Sequence, residues 1–219
     1  MGINHVEPGG APLVARLSGS VTMIKVSVGP LDNNAYLLQN AADRSVLIDA
    51  ANDEDRLLKI IADLPLDAIV TTHRHDDHWQ ALPFVAAATG ARLICGQPDL
   101  EAIGEGAWVP GLIGVWDGDQ IELGAERLEV IGLVGHTPGS ITLCYVGAGR
   151  AHLFTGDSLF PGGPGKTTSP ADFASLMNDL ETKIFDRFDD ETIVHPGHGD
   201  DTTLGAERPH LAEWRKRGW

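Results

Sequence analysis

The chain has 219 residues, 42% of them hydrophobic, enough for one compact domain to bury a large core without a disulfide or metal staple. Sixteen basic against thirty-one acidic residues give a formal charge of −15. That field repels phosphate backbones, and the densest cationic stretch, Arg215-Lys216-Arg217, reads as a helix end facing water, which argues against nucleic acid as a partner. No apolar run reaches ~18 residues, so no membrane-spanning helix is expected.

Residues 1–20 are read as a loose lead-in, with Gly and Pro but little periodicity, and 21–219 as one domain. The N-terminus lacks a basic segment followed by an apolar core and does not read as a signal peptide. With two unpaired cysteines, Cys95 and Cys144, the expected location is the cytoplasm. From Val21 the pattern alternates: Val21–Val26, Ala35–Leu38 and Ser45–Asp49 read as strands, with a turn at Gly29-Pro30. Asp53 to Leu64 reads as a helix with Leu57, Leu58, Ile61 and Leu64 on one face, stopped by Pro65. A buried strand, Ala68–Thr72, runs into a histidine cluster, followed by a helix from about Gln80 to Thr89 and a strand at Arg92–Cys95.

From about Val115 to Phe154 the chain is rich in strands joined by short turns. Ser169 then caps a helix with Pro170 at its first position and Asp172 completing a capping box. Phe173, Leu176, Met177, Leu180 and Ile184 form its core-facing stripe. Thr192–Val194 is the last strand and Leu204 onward a closing helix. Strands before helices, twice over, predict a layered α/β protein with helices outside two sheets.

The decisive segment is Thr72-His73-Arg74-His75-Asp76-Asp77-His78, with three histidines and two aspartates in six positions directly after a buried strand. A strand end fixes the backbone while the following loop turns several side chains toward one point. Imidazole and carboxylate together suit zinc, and also iron or manganese. Arg74 and Asp76 are read as solvated or locally paired. His5, His152, His195 and His210 are read as non-ligands: His5 in the lead-in, His152 before a strand, His195 as strand-end packing and His210 in the final helix.

His73, His75, Asp77 and His78 occupy the places of H-x-H-x-D-H, and the chain thereby resembles the metallo-β-lactamase superfamily. Three further segments fit that resemblance: His136 in Gly135-His136-Thr137-Pro138-Gly139-Ser140, Asp157 in Thr155-Gly156-Asp157-Ser158, and His198 in Pro196-Gly197-His198-Gly199. It implies a four-layer αβ/βα sandwich, two mixed sheets flanked by helices. It also implies two divalent metal ions, zinc first, with His73, His75 and His136 on one, Asp77, His78 and His198 on the other, and Asp157 between them. Asp77 would orient the attacking water as well. Asp49 matches an outer aspartate that fixes a ligating histidine. Asn33, Asn34 and Tyr36 resemble an early family segment and are read as serving turn geometry and core packing.

Within the superfamily, Asp157 stands where β-lactamases usually carry Cys or Ser, and His75 where diiron oxygen-reducing relatives carry glutamate. The segment Gly156–Lys166 is similar to one in glyoxalase II (hydroxyacylglutathione hydrolase), where a lysine contacts the substrate, which makes Lys166 the candidate substrate-binding residue. The reaction implied is hydrolysis of an acyl-thiol by a hydroxide shared between the metals, expelling a thiolate whose unperturbed pKa near ~8.5 makes it a ready leaving group. The alternatives are an iron persulfide dioxygenase, a lactone, ester or phosphodiester hydrolase, and a non-catalytic metal-binding module. Only twenty-one residues follow His198, and Gly199-Asp200-Asp201 stands where the glyoxalase II group has a Glu-Tyr pair, so the thiol carrier is left open.

Overall fold

The structure, a computed structural model, describes residues 4–218. Residues 1–3 of the expected lead-in lie outside the described residues. The first sheet contains β1 (Leu13–Arg16), β2 (Val21–Val28), β3 (Asn33–Asn40), β4 (Ser45–Ile48), β5 (Leu66–Thr71), β6 (Arg92–Gly96) and β7 (Ile113–Val115), in that spatial order. β1 to β4 pair antiparallel and β4 to β7 parallel. β1 corrects one expectation: the second half of the lead-in is an edge strand, with Leu13 opposite Lys25 and Arg16 opposite Thr22.

The second sheet uses β8 (Gln120–Leu123), β9 (Glu126–Gly132), β10 (Ile141–Gly147) and β11 (Arg150–Gly156), which form a meander. A small hairpin, β12 (Leu159–Phe160) and β13 (Gly163–Pro164), precedes β14 (Ile193–Pro196) and β15 (Thr202–Thr203). β14 pairs parallel with β11 and completes the order β15-β14-β11-β10-β9-β8. Helices α1 (Glu54–Ile61), α2 (Leu82–Thr89) and α3 (Leu100–Ala107) pack on the first sheet, while α4 (Pro170–Asp179), α5 (Leu204–Glu207) and α6 (Leu211–Arg217) belong to the second.

Side-chain alternation makes the layers. In β4 and β5, Val46, Ile48, Ala68 and Val70 face the inter-sheet core with Leu143, Tyr145 and Phe154, while Leu47 and Ile69 face α1–α3. Ile131, Cys144, Leu153 and Val194 turn outward against Leu176, Met177 and Trp214. Each fully buried large apolar side chain contributes about 1.5–3 kcal/mol, so three contiguous cores hold the αβ/βα sandwich. Both cysteines are buried and unpaired, and burial pushes their thiols up to about 12, leaving them neutral.

Helix ends follow local chemistry. Ser169 Oγ accepts the Asp172 N–H, as the capping pattern predicts, and α4 continues into a π-helical turn at Leu180–Phe185 that keeps Leu180 and Ile184 buried. α1 stops at Ile61, three residues short of its expected end, because Ala62 takes φ 48° and donates its N–H to Leu58. α3 is absent from the expected elements. Gly104 and Gly106 lower its intrinsic propensity, and the helix is held by burial of Ile103 and Ala107.

His152 lies inside β11 rather than before it, stacked on His195 at 5.4 Å between ring centroids. His210 ends a 3₁₀ turn, Arg208–His210, ahead of α6. Burial first, with His195 and Arg150 adding, lowers the pKa of His152 to about 4. The unfolded chain therefore binds a proton at this position near pH 6.5 that the folded chain refuses, and the stability His152 contributes is lost as pH falls from about 6.5 toward 4. His152→Gln removes that titration. Denaturant unfolding of metal-free protein is expected to show a shallower stability loss over this interval in the variant, and an unchanged slope would refute the assignment.

Candidate metal centre

All the candidate ligands follow the C-terminal ends of strands at one edge of the sandwich. β5 ends at Thr71 and leads to His73–His78, β9 ends at Gly132 before His136, β11 ends at Gly156 before Asp157, and β14 ends at Pro196 before His198. Asp49 directly follows β4 in the left-handed region, φ 57°, which an aspartate tolerates better than a branched residue.

The structure brings all seven residues together. His73, His75 and His136 form one group, Asp77, His78 and His198 another, and His73, His78 and Asp157 a third that spans them. Within each group, one ligand-type atom from each residue lies within 4.8 Å of the others. Asp157 touches both sides: Oδ1 is 3.3 Å from His78 Nε2, and Oδ2 is 3.7 Å from His136 Nε2 and 3.5 Å from His198 Nε2. Two glycines permit this approach. A Cβ on Gly197 would lie 2.3 Å from Asp157 Oδ1, and one on Gly165 would lie 1.7 Å from the Asp157 carbonyl oxygen.

The outer ring nitrogens explain the arrangement. His136 Nδ1 donates to the Lys166 carbonyl at 2.6 Å, His198 Nδ1 to the Leu31 carbonyl at 2.9 Å, and His78 Nδ1 to Asp49 Oδ2 at 2.8 Å. These partners only accept, so each ring carries its proton on Nδ1 and turns an Nε2 lone pair inward. Asp49 reaches a second ring as well. It accepts from both the N–H and the Oγ1–H of Thr72, which leaves the Thr72 oxygen to accept from His73 Nδ1 at 3.1 Å.

The inward nitrogens meet at distances that only a shared cation or proton makes favourable. His73 Nε2 is 3.0 Å from His75 Nδ1 and 3.2 Å from His136 Nε2, and His78 Nε2 is 3.2 Å from His198 Nε2. Asp157 Oδ1 is buried and accepts no hydrogen bond among the described residues. Converging lone pairs with an orphaned carboxylate oxygen fit a divalent ion with nitrogen and oxygen ligands.

In the ion-free site electrostatics split the rings, two held neutral and two drawn toward a protonated form that a bound cation would replace. Burial holds His73 well below the ordinary histidine range and lowers His136, keeping both neutral. Burial also pulls on His78 and His198, but Asp49 and Asp157 outweigh it at His78, pushed up to about 10, and Asp157 outweighs it at His198. Asp157 is itself driven well below the carboxylate range, because His198 and His78 overcome its burial.

The roles of four residues at the site escape a reading of local sequence. Asn33 Nδ2 donates to the Asp77 carbonyl at 2.9 Å and to Asp77 Oδ2 at 3.0 Å. Asn34 Nδ2 and Tyr36 Oη both donate to the Pro196 carbonyl, so this segment orients the His198 loop rather than serving only as turn and core. Asp99, fully buried, accepts from Arg74 N, Thr137 Oγ1 and Gly139 N, and so ties the His73–His75 loop to the His136 loop. Its Gln-Pro-Asp-Leu context resembles a simple helix cap, and its partners lie 25 to 40 residues away. The structure places Lys166 on the far side of His136 from the cluster, with its side chain exposed and its carbonyl holding that ring.

Residues 28–200 match the family model described as the metallo-beta-lactamase superfamily. Hydroxyacylglutathione hydrolase of Fuscovulum blasticum is 36% identical over 171 residues, covering 76% of this chain and 62% of its own length. Hydroxyacylglutathione hydrolase GloC of Haemophilus influenzae is 30% identical over 201 residues, 84% of this chain and 93% of its own. The solved structure of TTHA1623 in a di-iron-bound form superposes with a TM-score of 0.67 at 31% identity, covering 84% of this chain and 96% of that one. The chain thus spans less than two thirds of the first of these relatives and nearly all of the other two.

Asp49→Asn tests the tautomer argument. An amide nitrogen in place of Oδ2 would face the His78 and Thr72 donors, which drives the His78 proton onto Nε2 and removes its inward lone pair. Zinc affinity, measured by competition with a chelating dye, is expected to fall about 10- to 100-fold. Wild-type affinity would contradict the role given to Asp49.

Proposed function

Given that the chain belongs to the metallo-beta-lactamase superfamily, we propose that it is a metal-dependent hydrolase of acyl-thiol esters, turning a thioester and water into a carboxylic acid and a free thiol. The observation that carries this reading is the pair of three-residue groups joined through Asp157, beside a pocket able to take an anionic carrier. Two relatives named hydroxyacylglutathione hydrolase support the substrate class.

In this reading His73, His75 and His136 would hold one ion and Asp77, His78 and His198 the other, with Asp157 placed to serve both. When bound, the ions supply a water of lowered pKa and an electrophile for the carbonyl oxygen. Zinc is the ion proposed. The same donors accept iron, and the 31% identical protein solved in a di-iron form keeps iron in view. Asp77, braced by Asn33, accepts a hydrogen bond from the attacking water and orients it. Asp49 keeps the His78 and His73 lone pairs directed inward.

A pocket of about 330 Å³ opens beside His136, lined by Pro164, Gly165, Lys166, Thr167, Phe173 and Arg217. Its floor is apolar and two of its lining side chains are cationic, in a chain of net charge −15. Arg217, read from sequence as a solvated helix end, is brought here because α6 packs back on the β13 segment, with its guanidinium near Gly163. We assign the pocket to the thiol carrier, with Lys166 and Arg217 meeting its carboxylates.

A panel of acyl-thiols, read by a thiol-reactive dye with zinc-loaded protein, checks the reaction. Thiol release is expected, abolished by chelation and restored by zinc. Lys166→Ala and Arg217→Ala are each expected to raise KM about tenfold for carboxylate-bearing carriers and to leave kcat little changed. Failure to release thiol from every carrier, or oxygen uptake with a persulfide instead, would reject the hydrolase.

A further inference from the structure

Lys25, on β2, has no exposed surface, which places an ammonium inside the protein. Three acceptors account for its three donors: the Gly199 carbonyl at 2.8 Å, Asp201 Oδ1 at 2.8 Å and the Asn4 carbonyl at 3.1 Å. Asp201 Oδ2 accepts in turn from His195 Nδ1 at 2.9 Å and Asn4 Nδ2 at 3.1 Å. His195 Nε2 then meets His152 Nδ1 at 3.1 Å. Gly199 and Asp201 lie one and three residues after His198.

The 196–201 loop offers little else to grip. It contains Gly197 and Gly199, the latter at φ 65°, and no large apolar side chain. Its order comes from hydrogen bonds: Gly197 N to the Gly156 carbonyl, Gly199 N to the Asp32 carbonyl, Asn34 to Pro196 and Gly199, and the Lys25 clamp. Burying an ion pair costs several kcal/mol of desolvation per ion, so simple stapling is better served by apolar packing. A charged amine gives what packing cannot, three directed donors converging on one loop.

We propose that Lys25 is a positioning residue for His198: its ammonium, through Gly199 and Asp201, fixes the loop so that His198 Nε2 stands opposite His78 Nε2. The proposal rests on the reading of His198 as a metal ligand. It separates the two groups. His73, His75 and His136 hang from β5 and the β9–β10 connection, where none of the three Lys25 hydrogen bonds ends, whereas His198 lies next to the Gly199 carbonyl that Lys25 holds. Loss of Lys25 therefore damages the ion held by Asp77, His78 and His198 and spares the other.

The test compares wild type, Lys25→Met, the double variant Lys25→Met with Asp201→Asn, and Leu176→Ala, whose site lies in the separate core under α4. The double variant removes the buried carboxylate charge that loses its ammonium partner and so keeps a folded sample available if the single change does not fold. In metal-free protein, hydrogen–deuterium exchange at 197–201 is expected to rise at least about tenfold in both Lys25 variants while 66–78 is unchanged. In zinc titrations the second equivalent is expected to weaken about 10- to 100-fold and the first to persist. Leu176→Ala is expected to be less stable but to show neither effect. Unchanged exchange and unchanged second-equivalent affinity in the Lys25 variants, or the same pattern in Leu176→Ala, would overturn the proposal. Should wild type itself bind a single equivalent, the two-ion reading fails, and the exchange result alone decides the role of Lys25.

Discussion

The site depends on where the protons sit on four imidazoles, those of His73, His78, His136 and His198. A histidine presents a lone pair inward only if its other nitrogen is bound to a group that cannot donate. The fold meets that requirement with the carbonyls of Leu31 and Lys166, and with one carboxylate, Asp49, serving His78 directly and His73 through Thr72. Remove those acceptors and the same rings at the same positions would hydrogen-bond one another as a polar core cluster. The acceptors are backbone or strand-end groups, so ligand orientation is built into the sheets. A fold that delivers four strand ends to one edge of a sandwich can hold such a site with very little loop.

Charge then falls into place. The acidic excess of the chain is not spread evenly around the site: Asp77 and Asp157 face the converging nitrogens, Asp49 and Asp99 are buried behind them, and the pocket beyond His136 carries Lys166 and Arg217. In the proposed reading, four carboxylates at or just behind the cluster would balance two divalent ions, and two cations one step away would suit an anionic substrate arm. An acidic protein would accommodate an acidic ligand by such local arrangement rather than by net charge. On the other flank, Phe160 lies 6.2 Å from the His198 ring, and Leu31, whose carbonyl holds that ring, exposes an apolar side chain.

Much of this was legible in the sequence, for a physical reason. The spacing of candidate ligands is a local property: His73, His75, Asp77 and His78 share one strand-to-loop turn, and His136, Asp157 and His198 each follow a β run and a glycine. Period-two apolar strands and the Ser169 cap were legible on the same ground. What escaped reading depends on long-range pairing. Asn33 meets Asp77 44 residues away, Lys25 meets Asp201 176 residues away, and Arg217 reaches its pocket only because α6 folds back. α3 escaped because its glycines contradict the helix that burial enforces, and β1 because a four-residue edge strand with alternating exposure has little pattern of its own.

The central claim is that the outer acceptors direct the lone pairs to two points, joined by Asp157. X-ray diffraction from zinc-loaded crystals, collected on both sides of the zinc absorption edge, reads it directly. Two anomalous peaks are expected, one among His73, His75 and His136 and one among Asp77, His78 and His198, with Asp157 contacting both and each Nδ1 hydrogen bond retained at His78, His136 and His198. A single peak, or two peaks with any of those rings flipped so that Nδ1 faces the metal, would contradict it.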